Sequence, residues 1–360
     1  MERVYNFAAG PAVMPEEVLR RAAEEMLNYR GSGMSVMEMS HRSAAYQDIF
    51  DHTVGLFRQL MEIPENYAVL LLQGGATGQF AAVPMNLLHG SADYVDSGHF
   101  AHAAMLEAMK YGTVRCAAST REDGYCRVPA QNEIRADSRA DYLYICTNNT
   151  IYGTSYSYVP ESGVPIVADM SSNILSSPCD VRRYGAILAG AQKNIGPAGL
   201  TVVIVRRDLL GYARDTTPAV LNWTVMDEKG SMLNTPPTYA IYMAGLCLEW
   251  LRDQGGVQAI YARNCRKAAL LYSYLDQSRL FHGKAEQGSR SLMNVTFTPG
   301  DKELDDAFVR GAAEHGLCAL KGHRVAGGMR ASIYNAMPEE GVRKLVDFMT
   351  RFEENTRKHR

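Results

Sequence analysis

Several features that would assign the chain to a specialised class of protein are missing from the sequence. The formal net charge is only −2 over 360 residues, so there is no bulk positive field to bind nucleic acid or an anionic membrane surface. No apolar run reaches the length of about 20 residues that a transmembrane helix needs, and no low-complexity tract or fixed repeat occurs. We therefore expect a compact soluble protein that binds neither nucleic acid nor a membrane.

Cysteine pairs and targeting signals are also missing. The seven cysteines are scattered from Cys116 to Cys318 without a C-x-x-C pair, a pattern that favours neither a disulfide framework nor a structural zinc site. It predicts no metal and a reducing compartment. The first six residues lack the charged-then-apolar order of a secretory signal, and Glu2 argues against a transit peptide because such peptides are poor in acidic residues. We expect a cytoplasmic protein.

What the sequence does contain is an alternation of short apolar runs with longer segments of helical period, which is typical of an α/β fold. The apolar runs predict strands of one large mixed sheet at 68–72, 94–96, 114–118, 142–146, 166–169, 186–189 and 200–205. The periodic segments predict helices at 15–29, 43–61, 79–88, 100–111, 238–253 and 257–275. A strand-helix-strand-helix tail over 292–352 predicts a second, smaller domain.

A glycine-rich segment, Gly74-Gly75-Ala76-Thr77-Gly78, separates the first of these strands from the helix predicted to start at Gln79. Backbone N–H groups at a helix start favour a phosphate, and glycine lets the anion approach. A tight turn from strand to helix needs glycine for steric reasons alone, so both interpretations stay open. The segment lacks a G-K-[ST] end, and no G-x-G-x-x-G occurs in the chain, which disfavours nucleotide binding.

Two residues at strand ends point to a particular chemistry. Asp169 closes the apolar strand at 166–169, where ligands bind in open α/β sheets. Lys193 follows the strand at 186–189 inside a glycine-rich loop. A desolvated lysine can form an imine, although a solvated surface lysine is the simpler alternative. A carboxylate for a pyridinium nitrogen, an amine for an aldehyde and a phosphate-binding segment are what pyridoxal phosphate requires.

Seven longer motifs lie along the chain: 6–12 (NFAAGPA), 39–43 (MSHRS), 73–75 (QGG), 78–84 (GQFAAVP), 190–194 (GAQKN), 234–238 (NTPPT) and 327–336 (GGMRASIYNA). With these motifs the sequence resembles the phosphoserine aminotransferases, which are class V, fold type I pyridoxal phosphate enzymes. The resemblance covers nearly the whole chain. It implies a large domain, residues 16–255, built on a mixed, mostly parallel sheet of the seven-stranded type. Residues 1–15 and 256–360 would form a smaller α+β domain.

The resemblance also implies an activity. The chain would be a homodimeric aminotransferase with shared active sites, transferring the amino group of glutamate to 3-phosphohydroxypyruvate. The products are O-phospho-L-serine and 2-oxoglutarate, in serine biosynthesis. Some members also use a related phosphorylated oxo acid and form 4-phosphohydroxy-L-threonine for pyridoxine biosynthesis.

Within the family pattern, Lys193 resembles the residue that holds pyridoxal phosphate and moves the proton between the substrate α-carbon and the cofactor. Asp169 would keep the ring nitrogen protonated. The resemblance places further residues around the cofactor, the last two of them across the dimer interface: Ala76, Thr77, Phe100, Thr150, Gln192, Asn234 and Thr235. As alternatives, Thr150 serves as an ordinary turn hydroxyl, and Asn234-Thr235 cap the helix after Pro236-Pro237.

Basic residues in and near two of the motifs would bind the substrate, because arginine binds carboxylates and phosphates through paired charge-assisted hydrogen bonds. Arg330 resembles the α-carboxylate clamp, and Arg42 aligns with a position that contacts glutamate. His41, His323 and Arg324 lie where the family gathers the substrate phosphate or side-chain carboxylate. Solvated surface charge is the competing interpretation.

The sequence departs from the family pattern at two of these positions. Thr77 stands where many members have an arginine that helps bind the substrate phosphate. Phe100 stands where many stack a tryptophan on the pyridine ring, and phenylalanine preserves the apolar face with less area.

Three other functions remain as alternatives. Another class V enzyme, such as an alanine–glyoxylate aminotransferase, would share the cofactor site. A cysteine desulfurase is disfavoured because no cysteine lies in a recognisable mobile-loop motif. A non-enzymatic α/β ligand-binding module would use the glycine segment and the arginines without forming an imine.

Overall fold

The chain, described over residues 3–358 in a computed structural model, combines a large sheet with a smaller C-terminal part. Its strands are β1 (Tyr5–Asn6), β2 (Tyr67–Leu72), β3 (Ser91–Asp96), β4 (Thr113–Ser119), β5 (Leu143–Cys146), β6 (Asn148–Asn149), β7 (Thr154–Ser155), β8 (Ile166–Asp169), β9 (Ala186–Gly190), β10 (Thr201–Arg206), β11 (His282–Gly283), β12 (Asn294–Thr298), β13 (Leu317–Cys318) and β14 (Met329–Ser332). Its α-helices are α1 (Glu16–Glu24), α2 (Ala44–Met61), α3 (Gly75–Leu87), α4 (His99–Ala108), α5 (Trp223–Glu228), α6 (Thr238–Asp253), α7 (Gly256–Gln277), α8 (Lys302–Glu314) and α9 (Glu339–Lys358).

The large sheet has seven strands in the order β2-β10-β9-β8-β5-β3-β4. Strand β10 runs antiparallel to both of its neighbours, and the other adjacent pairs are parallel. The predicted mixed, mostly parallel seven-stranded sheet is therefore confirmed. Because β3, β5 and β8 are parallel, their carboxyl ends meet at one edge, which is where such sheets bind ligands.

Apart from the edge strand β4, which is largely exposed, the sheet is buried on both faces, which explains why most of its strands are continuous apolar runs. In β2, Val69 and Leu71 join the core on one face, whereas Leu70 and Leu72 join the core on the other. This division follows from the alternation of side chains along a strand. Helices cover both faces, so the sheet forms a rigid layer from which the carboxyl-end loops project.

The C-terminal part has its own core around Phe297, Phe308 and Phe348. Strands β11, β12 and β14 form a small antiparallel sheet there. The predicted strand-helix-strand-helix tail corresponds to β12, α8, β14 and α9, with the additional short strand β13. Strand β13 pairs in parallel with β1, Tyr5 opposite Leu317, so the N-terminal segment attaches to the C-terminal part. The domain bounds at residues 15 and 255 stay a prediction.

Two helix boundaries differ from the sequence prediction by four residues or more, and α4 ends at Ala108, three residues before its predicted end. Helix α1 ends at Glu24 rather than near Tyr29, because the chain turns back there and the N–H of Tyr29 donates to the Met34 carbonyl at 3.0 Å. Helix α3 begins at Gly75 rather than Gln79, so most of the predicted glycine loop is the first turn of the helix. Gly74 makes the sharp entry possible, since its φ is 94°.

Within residues 3–358, no helix combines the length and the apolar character that crossing a bilayer requires.

Candidate active site

The loop between β9 and β10 carries Lys193 and is fixed by two backbone contacts. The N–H of Lys193 donates to the Ala191 carbonyl at 2.7 Å, which makes the loop turn tightly. The N–H of Ala12, from the N-terminal segment, donates to the Gln192 carbonyl at 2.8 Å. Gly10 lies so close that a Cβ there would be 3.4 Å from Cγ of both Gln192 and Lys193. The N-terminal segment therefore covers the lysine loop.

The side chain of Lys193 reaches the residues predicted to surround the cofactor. Its Nζ donates to Thr150 Oγ1 at 3.0 Å and lies 5.7 Å from the centroid of the Phe100 ring. Burial lowers the pKa of Lys193, the negative charge of Asp169 opposes this change, and the positive charge of Arg330 adds to it. A lowered pKa leaves more of the amine unprotonated, which imine formation requires.

Asp169 ends β8 with its carboxylate buried, at 5% residue exposure, beside Cys146 at the end of β5. Its Oδ1 accepts a hydrogen bond from the N–H of Ser171 at 2.9 Å, and its carbonyl accepts one from the N–H of Thr147 at 3.0 Å. These contacts hold the carboxylate at the carboxyl edge of the sheet. It acts on Lys193 through its charge.

The start of helix α3 supplies the predicted phosphate donors. Gly78 is the first residue whose N–H bonds back into this helix, to the Gly74 carbonyl at 3.1 Å. The N–H groups of Gly75, Ala76 and Thr77 precede it, and the first N–H groups of any helix lack an intrahelical acceptor. Thr77 is exposed, while Ala76 and Phe100 pack against the same face of the sheet. Gly74 makes the turn, and the residues after it present the donors.

Basic side chains gather next to Phe100. The His99 ring lies 5.3 Å from the Phe100 ring and 5.9 Å from the His323 ring. Burial lowers the pKa of His323, and Arg330, His99 and Arg324 lower it further by their positive charge. Burial also lowers the pKa of Arg330, whose Nε is buried and has no hydrogen-bond partner among residues 3–358. An unpartnered buried guanidinium N–H is suited to receive an anion.

Four predicted residues do not reach this group within one chain. His41 and Arg42 lie on the turn before α2, where Arg42 is exposed and its N–H donates to Ser40 Oγ at 3.3 Å. Asn234 and Thr235 are exposed before α6. Over residues 3–358, no hydrogen bond or ion pair joins any of the four to Lys193 or Arg330. Their roles stay a prediction.

The segment at 234–235 nevertheless lies near the start of α3. The Thr235 carbonyl accepts a hydrogen bond from Nε2 of Gln73 at 3.2 Å, and Gln73 directly precedes the glycine segment. The predicted cap is not observed in the form expected, because the residue that precedes α6 is Pro237 and it makes no side-chain capping hydrogen bond.

Sequence reasoning assigned no role to two residues that lie in the site. His99 directly precedes Phe100, and Tyr334 belongs to the motif at 327–336. Tyr334 is fully buried; its Oη donates to the Ala9 carbonyl at 2.7 Å and accepts from Nδ2 of Asn294 at 3.2 Å. The available signals were the position of Tyr334 inside the motif at 327–336 and that of His99 beside Phe100.

Taken together, these groups fit pyridoxal phosphate. The lysine amine, the buried carboxylate, the aromatic ring and the helix start match the aldehyde, the ring nitrogen, the ring face and the phosphate of this cofactor. Within the described part of the chain, no cluster of three His, Cys, Asp or Glu side chains could hold a metal ion.

This fold and lysine site are those of the class V aminotransferases, whose family model matches residues 4–345. The phosphoserine aminotransferase of Aromatoleum aromaticum is 54% identical over 361 residues, covering 98% of this chain and 99% of the relative. The chain belongs to the phosphoserine aminotransferase family of this class.

Solved structures agree with this assignment. The phosphoserine aminotransferase from Bacillus circulans subsp. alkalophilus superposes with a TM-score of 0.97 at 43% identity, covering 99% of this chain and all of that one. A PLP-bound phosphoserine aminotransferase from Trichomonas vaginalis gives a TM-score of 0.92 at 38% identity, covering 97% of this chain and 100% of that chain.

Proposed function

We propose that the chain catalyses the reversible transfer of an amino group from glutamate to 3-phosphohydroxypyruvate, with pyridoxal phosphate as cofactor. The observation that carries the proposal is the environment of Lys193: its Nζ lies 3.0 Å from Thr150 Oγ1, its pKa is lowered by burial, and Asp169 and Arg330 act on it. When bound, the cofactor supplies an electron sink for negative charge at the substrate α-carbon.

The residues of the chain bind and orient the cofactor and move the proton. Lys193 holds the cofactor and then moves the proton at the substrate α-carbon. Asp169 holds a proton on the ring nitrogen, because a nearby negative charge favours the charged form. Phe100 covers one face of the ring, and Thr150 orients the amine. The groups around the cofactor phosphate are those of Ala76, Thr77 and Gln192, with Asn234 and Thr235 from the neighbouring chain.

Substrate binding uses the basic group beside Phe100. Arg330 binds the α-carboxylate through its free Nε and the rest of its fork. His323 and Arg324 bind the substrate phosphate, since Thr77 leaves no arginine at the start of α3 to do so. His41 and Arg42 complete the site for the phosphate or the glutamate side chain. A phosphorylated oxo acid leading to 4-phosphohydroxy-L-threonine fits the same groups and is a second substrate under this proposal.

The proposal extends to the assembly and the location of the protein. The chain acts as a homodimer in the cytoplasm, with residues 16–255 as the large domain. Asn234 and Thr235 are exposed at the surface of one chain, which leaves them free to contact a second copy.

Visible absorption and a paired activity assay test the proposed function. The purified protein, loaded with the cofactor, should absorb above the protein band and should transaminate 3-phosphohydroxypyruvate with glutamate as donor. Lys193→Ala should abolish the borohydride-reducible link to the cofactor and the turnover. Replacing an exposed lysine, Lys229→Ala, should leave both intact.

Other outcomes identify the alternatives. A colourless protein that binds substrate without turnover would be a ligand-binding module. A coloured enzyme that prefers alanine and glyoxylate would be another class V aminotransferase. Turnover by Lys193→Ala near the wild-type rate would overturn the role of Lys193.

A further inference from the structure

A buried lysine outside the catalytic group is held entirely by backbone carbonyls. Lys267, on α7, has no exposed surface. Its Nζ donates to the carbonyl oxygens of Ile333 at 2.9 Å, Tyr334 at 2.7 Å and Met337 at 3.1 Å. These three carbonyls belong to residues 333–337, the carbonyl turn, which connects β14 to α9. Lys267 therefore fixes this turn to α7.

No carboxylate within ion-pair distance balances Lys267 in the described chain. The charged groups that act on it are Arg263, on its own helix, and Glu339, at the start of α9. Lysine is rarely fully buried unless it is paired, and burial of an amine disfavours its charged form. An apolar side chain would fill the same space without the cost of burying an amine. The hydrogen bonds from Lys267 to the turn therefore indicate a role beyond filling space.

The carbonyl turn touches the lysine loop of the active site. The N–H of Asn335 donates to Oδ1 of Asn194 at 3.0 Å, and Asn194 is the residue after Lys193. The Asn194 amide in turn donates to the Ile174 carbonyl at 3.1 Å. A shift of the turn is thus passed directly to the backbone that carries Lys193.

The same turn supports the site from two further sides. Tyr334 Oη donates to the Ala9 carbonyl at 2.7 Å, and the next residue, Gly10, packs on the side chains of Gln192 and Lys193. Arg330 precedes the turn by three residues, in β14. The carbonyl turn therefore contacts both the N-terminal segment and the loop that carries Lys193. It also follows directly from β14, the strand that carries Arg330.

We propose that Lys267 is a positioning residue for transamination, which sets the places of Lys193 and Arg330 by holding the carbonyl turn. The inference rests on the proposed function. It assigns Lys267 no contact with substrate or cofactor, and its effect passes through Asn335, Asn194 and Tyr334.

A second side chain on α7 also forms a hydrogen bond to the carbonyl turn and can be changed separately from Lys267. Asn264, one helical turn before Lys267, donates through Nδ2 to Asn335 Oδ1 at 2.9 Å and to the Ser176 carbonyl at 3.0 Å. Asn264→Ala removes one bond to the turn and leaves the three bonds of Lys267 in place. Arg266→Met is the matched control, because Arg266 is exposed and, among residues 3–358, forms an ion pair only with Glu339, at 3.4 Å.

The experiment measures three properties of the cofactor-loaded enzyme. They are the Tm, the pair of kinetic constants KM and kcat for glutamate, and the pH midpoint of the visible cofactor band. Lys267→Met should raise KM for glutamate by about tenfold or more and move the spectral midpoint by about half a pH unit or more, as expected when positioning groups shift. Asn264→Ala should change both in the same direction by less. Arg266→Met should change neither.

A lower Tm with unchanged KM and midpoint in Lys267→Met would show a structural role only and overturn the inference. If Lys267→Met does not fold, Asn264→Ala decides by the same two readouts. Wild-type protein without colour or transaminase activity would instead overturn the proposed function, so the two failures are distinguishable.

Discussion

The carboxylate of Asp169 can be changed without disturbing its backbone contacts, because Oδ1 accepts the N–H of Ser171 and an asparagine oxygen can do the same. The negative charge is then lost while the shape is kept. We expect Asp169→Asn to lower kcat by about 10²-fold or more, a barrier increase of about 2.7 kcal/mol. Steady-state assays and the cofactor spectrum measure this.

The buried carboxylate at the end of β3 provides the control. Asp96 accepts a hydrogen bond from Tyr125 Oη at 3.0 Å and bonds the His102 ring at 3.1 Å, and it is not among the charges that shift the pKa of Lys193. Asp96→Asn should reduce stability and leave kcat of the folded enzyme near wild type. Equal kcat for Asp169→Asn and wild type would remove Asp169 from the mechanism.

The residues proposed to bind the substrate phosphate should make the enzyme specific for a phosphorylated substrate. Removing the substrate phosphate leaves His323 and Arg324 unpaired, and each lost charge-assisted hydrogen bond costs about 1.5 to 3 kcal/mol. We expect kcat/KM for 3-phosphohydroxypyruvate to exceed that for hydroxypyruvate by at least about 10²-fold, and Arg324→Ala to erase most of the difference. Lys321→Ala changes an exposed lysine of the same segment, paired with Asp306 at 3.5 Å, and should keep the ratio. Equal values for the two oxo acids in the wild type would contradict the phosphate site.

The positions of site residues could be predicted where they follow from strand ends. Asp169 and Lys193 were identified because both follow buried strands of a parallel sheet, and the structure brings them together. His99 and Tyr334 escaped prediction because their place in the site depends on how the C-terminal part packs against the sheet. No local sequence pattern predicts how these two parts of the chain pack together.

At the scale of elements, the buried strands and both ends of α6 were predictable, whereas the end of α1 and the start of α3 were not. Strand β8 has the predicted bounds, since its apolar run leaves no other arrangement. The predicted start of α3 is wrong by four residues, because glycine ordinarily indicates a loop, whereas Gly75 and Gly78 are helical here. The two-residue strand β13 is too short to show a period, and only its pairing with β1 defines it.

Lys267, on helix α7, should make the free energy of unfolding depend on pH. Burial lowers the pKa of Lys267 from 10.5 to about 7, so between these values the unfolded chain binds a proton that the folded chain lacks. The free energy of unfolding therefore rises with pH in this window, by at most about 1.4 kcal/mol per unit. A neutral amine still donates two N–H groups to the carbonyl turn.

Urea unfolding at pH 7 and pH 9 measures this contribution. The wild type should gain stability relative to Lys267→Met between the two values, by about 2 kcal/mol. Arg266→Met, which keeps the lysine, should gain as much as the wild type. Parallel pH curves for wild type and Lys267→Met would show that Lys267 keeps its proton when buried.

At the scale of the whole molecule, the residues predicted for the site do not all lie together within one chain. Lys193, Thr150, Phe100 and Arg330 lie together, whereas Asn234 and Thr235 are exposed and make no hydrogen bond to this group within residues 3–358. A symmetric dimer can supply such residues to the partner's site. The sequence predicts this arrangement only through the family resemblance, because no periodicity or spacing specifies which surface meets a second copy.

Mixing two inactive chains tests the shared site. A Lys193→Ala chain and an Asn234→Ala, Thr235→Ala chain form mixed dimers in which one of the two sites is intact. Equal mixing should therefore restore about a quarter of the wild-type activity, because about half of the dimers are mixed. As a control, Lys193→Ala with Asp169→Asn should not recover, since both residues serve the site of their own chain and every site lacks one. If mixed dimers are shown to form and the first pair stays inactive, Asn234 and Thr235 do not act across the interface.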